Sequence, residues 1–335
     1  MVSKEYIRSV LENDDRDFIE SLARQSRSLT LKHFGKAISL YAPLYLSNYC
    51  DNQCTYCGFN HDRKVERTRL SRQEMETEMQ KIASFGIQNI LLLTGESRQY
   101  SPVDYIDEAV RIARNYFASI SLEVFPMQVA EYQRLYRSGV DGVTIYQETY
   151  QRERYGQLHP KGPKRDYVFR RGTPARIAEA GLRTISMGVL LGLSEITEDI
   201  WQLFSHLEEM QREYPGVEYS LSFPRIIPIR DDDSLNLADD MTLIKLICMA
   251  RILFPSVGIN LSTRENARLR DHIIGLGVTR VSAASKTTVG GYDCKKGETP
   301  QFDVMDQRSV EAVRMMIRAR GFDPVLTDWR RIENG

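Results

Sequence analysis

Eight short apolar runs recur along the chain, and all but the last are followed closely by a longer amphipathic stretch. The runs span residues 45–47, 89–94, 119–125, 142–146, 184–190, 219–223, 258–262 and 280–283. The helical patterns span 71–85, 102–116, 129–138, 173–180, 197–213, 239–253, 265–275 and 308–320. Glycine follows several of these helices, at 86, 139, 181, 275 and 321, and Ser or Thr precedes others, at 71, 101, 173 and 197, the usual stop and start signals. Strands that are apolar almost throughout belong to a parallel sheet covered on both faces by its crossover helices. Eight such units predict an α/β fold closed into a (β/α)8, TIM-type barrel; an open doubly wound sheet is the alternative. Two further helices are expected at 3–25 and 28–40. The chain therefore divides into a short N-terminal helical extension, 1–40, and a barrel with a C-terminal helix and tail, 41–335.

In such a barrel the chemistry sits at the carboxyl ends of the strands. Those ends read "SNYCDNQCTYCGF", "TGES", "EVFP", "YQETY", "LLGL", "SFPRIIP", "STREN" and "SAASKT". Composition narrows the partners. The 45 basic and 45 acidic residues cancel, so no electrostatic footprint for nucleic acid is present. No apolar run has the length of a membrane span. A cytoplasmic protein is expected, with its five cysteines as thiols or metal ligands. No G-x-G-x-x-G nucleotide loop occurs.

Three of those cysteines, Cys50, Cys54 and Cys57, lie within eight positions at the first strand end. Structural zinc takes four ligands, and the chain offers no second pair. Cys248 lies on an apolar helical stretch and reads as a buried small side chain. Cys294 lies in a polar loop and is the one remaining candidate for a zinc-stabilised, non-catalytic protein. A [4Fe–4S] cluster normally takes four thiolates, so three leave one iron open for a small molecule.

C-x-x-x-C-x-x-C with Tyr56 ahead of the third cysteine, placed after the first strand of a β/α chain, resembles the signature of the radical S-adenosylmethionine (SAM) superfamily. The stretches "PLYLSNYCDNQCTYCGF", "LLLTGE", "VTIYQETY", "YSLSFPRIIP", "LSTRE", "VSAASKT" and "GGY" resemble, in this order, the aromatic amino acid lyases of that superfamily. The likeness is greatest to the ThiH-type tyrosine lyases of thiamine thiazole formation. It covers about residues 43 to 331, including the tail "PVLTDWRRI". The resemblance implies a [4Fe–4S] cluster on Cys50, Cys54 and Cys57 with SAM on the open iron. It places Tyr56, Gly95 and Glu96 against SAM, and Glu148, with Glu123 as its neighbour, near the ribose hydroxyls. It implies reductive cleavage of SAM and hydrogen abstraction from L-tyrosine at the amino group. The Cα–Cβ bond then breaks to dehydroglycine (2-iminoacetate) and p-cresol. Tryptophan is the alternative substrate. A flavodoxin- or ferredoxin-type reductant and a thiazole synthase are the implied partners. A related hydrogenase-maturation branch carries a C-terminal cluster domain. No cysteine follows Cys294 here, so the reaction is expected to stop at the lyase step. The N-terminal segment is shorter than the family leads one to expect.

Such a reaction needs the substrate carboxylate clamped. A guanidinium grips a carboxylate in two places, which selects Arg264, with Arg225 as second candidate. Ser262 or Thr263 is expected to add a hydrogen bond. Ser285 and Lys286 are candidate contacts to substrate or SAM, and Phe125 and Phe223 are expected to line the ring pocket.

Overall fold

The computed structural model describes residues 2–227, 235, 237–294 and 299–327; positions 328–332 of the family-like tail lie outside them. Two helices lead the chain, α1 (Lys4–Glu12) and α2 (Arg16–Phe34). The alternation then begins with β1 (Ala37–Ser47), α3 (Arg72–Ala83), β2 (Asn89–Thr94), α4 (Val103–Ala113), β3 (Ser119–Glu123), α5 (Val129–Ser138) and β4 (Gly142–Glu148). After β4 come α6 (Arg152–Leu158), a 3-10 turn (Pro163–Arg165), α7 (Tyr167–Arg171) and α8 (Thr173–Glu179). The rest is β5 (Thr184–Val189), α9 (Ile196–Glu213), β6 (Glu218–Ser222), α10 (Asp240–Leu253), β7 (Gly258–Leu261), α11 (Ala267–Ile273), β8 (Arg280–Ser282), α12 (Val310–Ala319) and β9 (Asp323–Val325).

Strands β1 to β8 pair in sequence order and β8 returns to β1, all parallel, so the sheet closes. The barrel predicted from the repeat is the one formed. Strand β1 departs from the expected pattern: a helix was predicted over 28–40, yet α2 stops at Phe34 and the strand starts at Ala37. Gly35, at φ +62°, ends the helix in a conformation that other residues avoid. Ile38, Leu40, Ala42, Leu44 and Leu46 then alternate into the core. Pro43 inside that run hides it, because proline is atypical within a strand. The extra length pairs with β9 at Ala37–Ser39.

Helix α3 opens with a reciprocal capping box between Ser71 and Glu74, worth ~1 kcal/mol. All six residues of β2 are buried between the barrel interior and the helical ring. Such barrels usually fill their interior with branched side chains. Here the amino end holds a cavity of about 610 Å³ bordered by Ser121, Ser186, Ser220 and Asn260. The Asn260 amide donates to Ser186 Oγ (2.9 Å) and Ser220 Oγ (3.1 Å). No helix among the described residues is long and apolar enough to cross a membrane.

Candidate active site

The loop after β1 is held in shape from both ends. Asn48 is buried; its amide donates to Glu66 O (2.8 Å) and its oxygen accepts from Thr68 N (2.7 Å). Arg67 donates to Asn48 O (2.7 Å), Phe59 O (3.0 Å) and Asn60 O (2.6 Å), closing the loop on itself. Cys50, Cys54 and Cys57 line one small cavity of about 80 Å³ together with Gly95 and Glu96. The strand β2 end approaches so closely that a Cβ on Gly95 would sit 2.2 Å from Tyr49 O. Gly95 is therefore required by space. From the other side a Cβ on Gly58 would lie 2.6 Å from Gln301 O.

Burial pushes all three thiols up, Cys50 to about 11. Thiolates at these positions need a cation beside them. Among the described residues no three His, Cys, Asp and Glu side chains converge tightly enough to hold one metal ion. A four-iron cluster removes that conflict, since each thiolate takes its own iron. Cys294 is elsewhere: its amide donates to Glu78 (2.6 Å) and its sulfur lies 3.9 Å from Glu74 O on α3. The residues present fit a cluster with three thiolate ligands and do not assemble the four-cysteine zinc site.

Two carboxylates and two cations surround this cavity. Glu96 accepts from Asn52 Nδ2 (3.0 Å) and Arg170 (3.0 Å). Glu148 accepts from Lys164 Nζ (2.6 Å) and lies 3.6 Å from Arg170. Burial works against both charged carboxylates, but Lys164 and Arg170 outweigh it and hold them below the usual range. Burial likewise disfavours the charge on Lys164, yet the carboxylates keep it firmly protonated. Glu148 has φ +71° and sits where the β4–β5 register slips between Tyr146 and Glu148. A non-glycine residue in this conformation costs of order 1–3 kcal/mol, and here its carboxylate meets Lys164. Lys164 and Arg170 were missed in the sequence because they belong to the helical insertion between β4 and α8, not to a strand end. The only signal is the basic run "KGPKRDYVFRR" within that insertion.

Tyr56 is fixed by a residue that also escaped notice. His159 Nδ1 lies 2.8 Å from Tyr155 O and Nε2 lies 2.8 Å from the Tyr56 hydroxyl. A carbonyl only accepts, so Nδ1 carries the proton and Nε2 accepts from Tyr56. Burial, with Lys164 nearby, lowers His159 to about 3, which keeps the ring neutral.

A second cavity of about 410 Å³ adjoins the first, sharing Cys57, Glu123, Tyr146, Glu148 and Lys164. Ser262, Arg264 and Ser285 line it. Arg264 is half-buried, with its guanidinium 3.4 Å from the centre of the Phe302 ring. Among the described residues it forms no ion pair, and burial lowers its affinity for the proton. Ser262 Oγ accepts from Arg264 N (3.3 Å). Among the described residues Ser285 Oγ is buried without a partner. Thr263 is buried in the cavity wall, and Lys286 is exposed outside it.

Arg225 does not join this group. It lies outside the cavity wall, donating to Glu265 Oε1 (3.1 Å) and pairing with Asp240 (2.9 Å), two acids that neutralise it. Phe125 and Phe223 do not line the cavity either. Phe125 lies under Arg98, 4.6 Å from its ring centre, and Phe223 packs on Phe204 (6.4 Å). The apolar wall comes instead from Leu93, Leu190, Ile226, Ile227 and Phe302.

Comparison with known proteins matches two family models, the radical SAM superfamily over residues 44–207 and the biotin and thiamin synthesis associated domain over 222–323. The chain is 38% identical over 330 residues to the 2-iminoacetate synthase of Salmonella typhimurium, covering 98% of this chain and 88% of that protein. The chain belongs to the 2-iminoacetate synthase family. It is also 39% identical to the Escherichia coli 2-iminoacetate synthase, over 93% of this chain and 83% of that protein. The crystal structure of HydG, a maturase of the [FeFe]-hydrogenase, superimposes with a TM-score of 0.92 at 29% identity, covering 98% of this chain and 73% of that one. Radical SAM enzymes use a [4Fe–4S] cluster and SAM, and the three-thiol cavity fits the first of these.

Proposed function

We propose that the protein cleaves the Cα–Cβ bond of L-tyrosine, giving 2-iminoacetate and p-cresol for thiazole formation. The observation that carries this reading is the pair of groups without a partner among the described residues in the 410 Å³ cavity, the Arg264 guanidinium and the buried Ser285 hydroxyl. Both suit the carboxylate of an amino acid, and the apolar wall beside them suits its ring. Cys50, Cys54 and Cys57 would hold a [4Fe–4S] cluster. Gly95 lets the end of β2 close on the cysteine loop, Glu96 and Arg170 would meet SAM's charged ends, Tyr56 its adenine, and Glu148 its ribose. When bound, the cluster and SAM supply one-electron reduction and hydrogen-atom abstraction. The chain's own residues orient and exclude. Arg264, with Ser262 bracing its backbone, fixes the carboxylate and so aims the amine at the shared wall of the two cavities. The apolar wall keeps water from the opened Cα–Cβ bond. A flavodoxin- or ferredoxin-type protein would deliver the electron, a thiazole synthase would take the imine, and the cytoplasm would provide the reducing setting. Anaerobic incubation with SAM, reductant and each aromatic amino acid tests this. Tyrosine alone should stimulate 5′-deoxyadenosine formation with a cresol product; stimulation by tryptophan instead would overturn the substrate.

A further inference from the structure

The carboxylates around the two cavities are not equivalent. Glu96 and Glu148 are committed to Lys164 and Arg170, as described above. Glu123, at the end of β3, lines both cavities and makes no hydrogen bond among the described residues. Asp303, the remaining acid on the wall of the 410 Å³ cavity, is exposed, so Glu123 is the shielded acid without a partner among the described residues, in the chamber that also holds the unpaired Arg264. An unpaired anion and an unpaired cation in one chamber match the two charges of an amino acid. We infer that Glu123 is the base that takes a proton from the substrate ammonium group. The inference rests on the tyrosine reading above.

The step balances without any co-reactant. One N–H bond breaks with its electron pair remaining on nitrogen, and one O–H bond forms on Glu123. Ammonium and carboxylate become amine and carboxylic acid. The reaction needs this first, because hydrogen-atom abstraction from an ammonium group leaves an electron-poor cation, whereas the free amine yields a stabilised nitrogen radical. Water restores the carboxylate between turnovers.

The surroundings suit a base that works near neutrality. Burial and the neighbouring Glu148 push Glu123 up to about 7, against the pull of Arg264, Lys164 and Arg170. The phenols that face it, Tyr45, Tyr146 and Tyr41, are themselves held protonated by burial. None of them competes as a base.

The test is Glu123→Gln in the reconstituted enzyme, with binding and turnover measured together. Affinity for L-tyrosine should fall about tenfold or more. Affinity for 3-(4-hydroxyphenyl)propionate, which has the ring and carboxylate but no amine, should stay unchanged. The p-cresol rate at neutral pH should fall on the order of 100-fold and recover in part above the pKa of the tyrosine amine. Iron content and SAM affinity should match the wild type. Weakened SAM binding with tyrosine affinity intact would make Glu123 a SAM ligand, and a wild-type p-cresol rate would remove any role. Either result overturns the inference. If Glu123→Gln loses iron, Glu123→Asp decides: a slowed rate with the wild-type pH profile supports the base, and an unchanged rate overturns it. Failure of the wild-type protein to make p-cresol from tyrosine would overturn the tyrosine reading itself, whatever the variants do.

Discussion

Arg264→Lys separates charge from geometry at the proposed carboxylate clamp. In the structure Arg264 has no acid within ion-pair distance among the described residues, and its guanidinium carbon lies 3.4 Å from the centre of the Phe302 ring. Its fork is thus free to receive a carboxylate and is held against the ring. Truncating one partner of a buried, hydrogen-bonded charge pair costs ~2–5 kcal/mol, and each ~1.4 kcal/mol is a factor of ten. Lysine keeps the charge but loses the fork and the stacking, so the low end applies: about 30- to 300-fold in kcat/KM for p-cresol. The lost aim adds to this, since errors of ~1 Å cost ~100-fold. SAM is handled by other residues, so 5′-deoxyadenosine should continue to form without matching cresol. The assay is anaerobic turnover with both products quantified by chromatography. Both products at wild-type rates would show that Arg264 only packs on Phe302.

Replacing Cys50, Cys54 or Cys57 by Ala should each abolish reconstituted [4Fe–4S] absorbance, while Cys248→Ala and Cys294→Ala should leave iron content unchanged. Gly95→Ala should disrupt the cysteine loop, because its Cβ would meet Tyr49 O at 2.2 Å; reduced iron uptake and weaker SAM binding by calorimetry would report it. Arg170→Met removes one of the two cations paired with Glu96 and Glu148 and should cost ~3–5 kcal/mol in denaturant unfolding of the iron-free protein, part of it recovered by adding Glu96→Gln. His206, buried against the Tyr150 hydroxyl at 2.8 Å, is lowered to about 4 by burial. The folded form therefore binds this proton less well than the unfolded chain, whose histidine titrates near ~6.5. Its stabilising effect is complete above that value and is lost as pH falls towards 4. Relative to His206→Gln, the wild type should lose about 1 kcal/mol per pH unit across that window, measured by urea unfolding.

What the sequence reveals depends on where a residue sits along its strand. Strand-end residues such as Glu96, Glu148, Ser262, Arg264 and Ser285 are legible because a parallel barrel brings all its carboxyl ends to one mouth, and the structure places each of them at the two cavities. Position alone does not reveal pairing. Arg225 also ends a strand, but Glu265, forty positions on, captures it. Phe125 and Phe223 point into packed aromatic and cationic neighbours, and direction at a strand terminus depends on local twist that periodicity does not encode. Lys164, Arg170 and His159 come from an insertion with no period of its own. Their roles arise only when that segment folds back over the cysteine loop, where Lys164 N donates to Asn52 Oδ1 at 2.8 Å. The early start of β1 was concealed by one residue, Pro43, inside an otherwise regular alternation.

The most direct measurement is the product stoichiometry of a single anaerobic reaction. The reconstituted protein is mixed with SAM, a reductant and L-tyrosine, and 5′-deoxyadenosine, p-cresol and glyoxylate (the hydrolysis product of 2-iminoacetate) are quantified together. A tyrosine lyase predicts the three in equal amounts, with none formed in the Cys54→Ala protein. Formation of 5′-deoxyadenosine that tyrosine does not stimulate, or without p-cresol, would contradict the assignment.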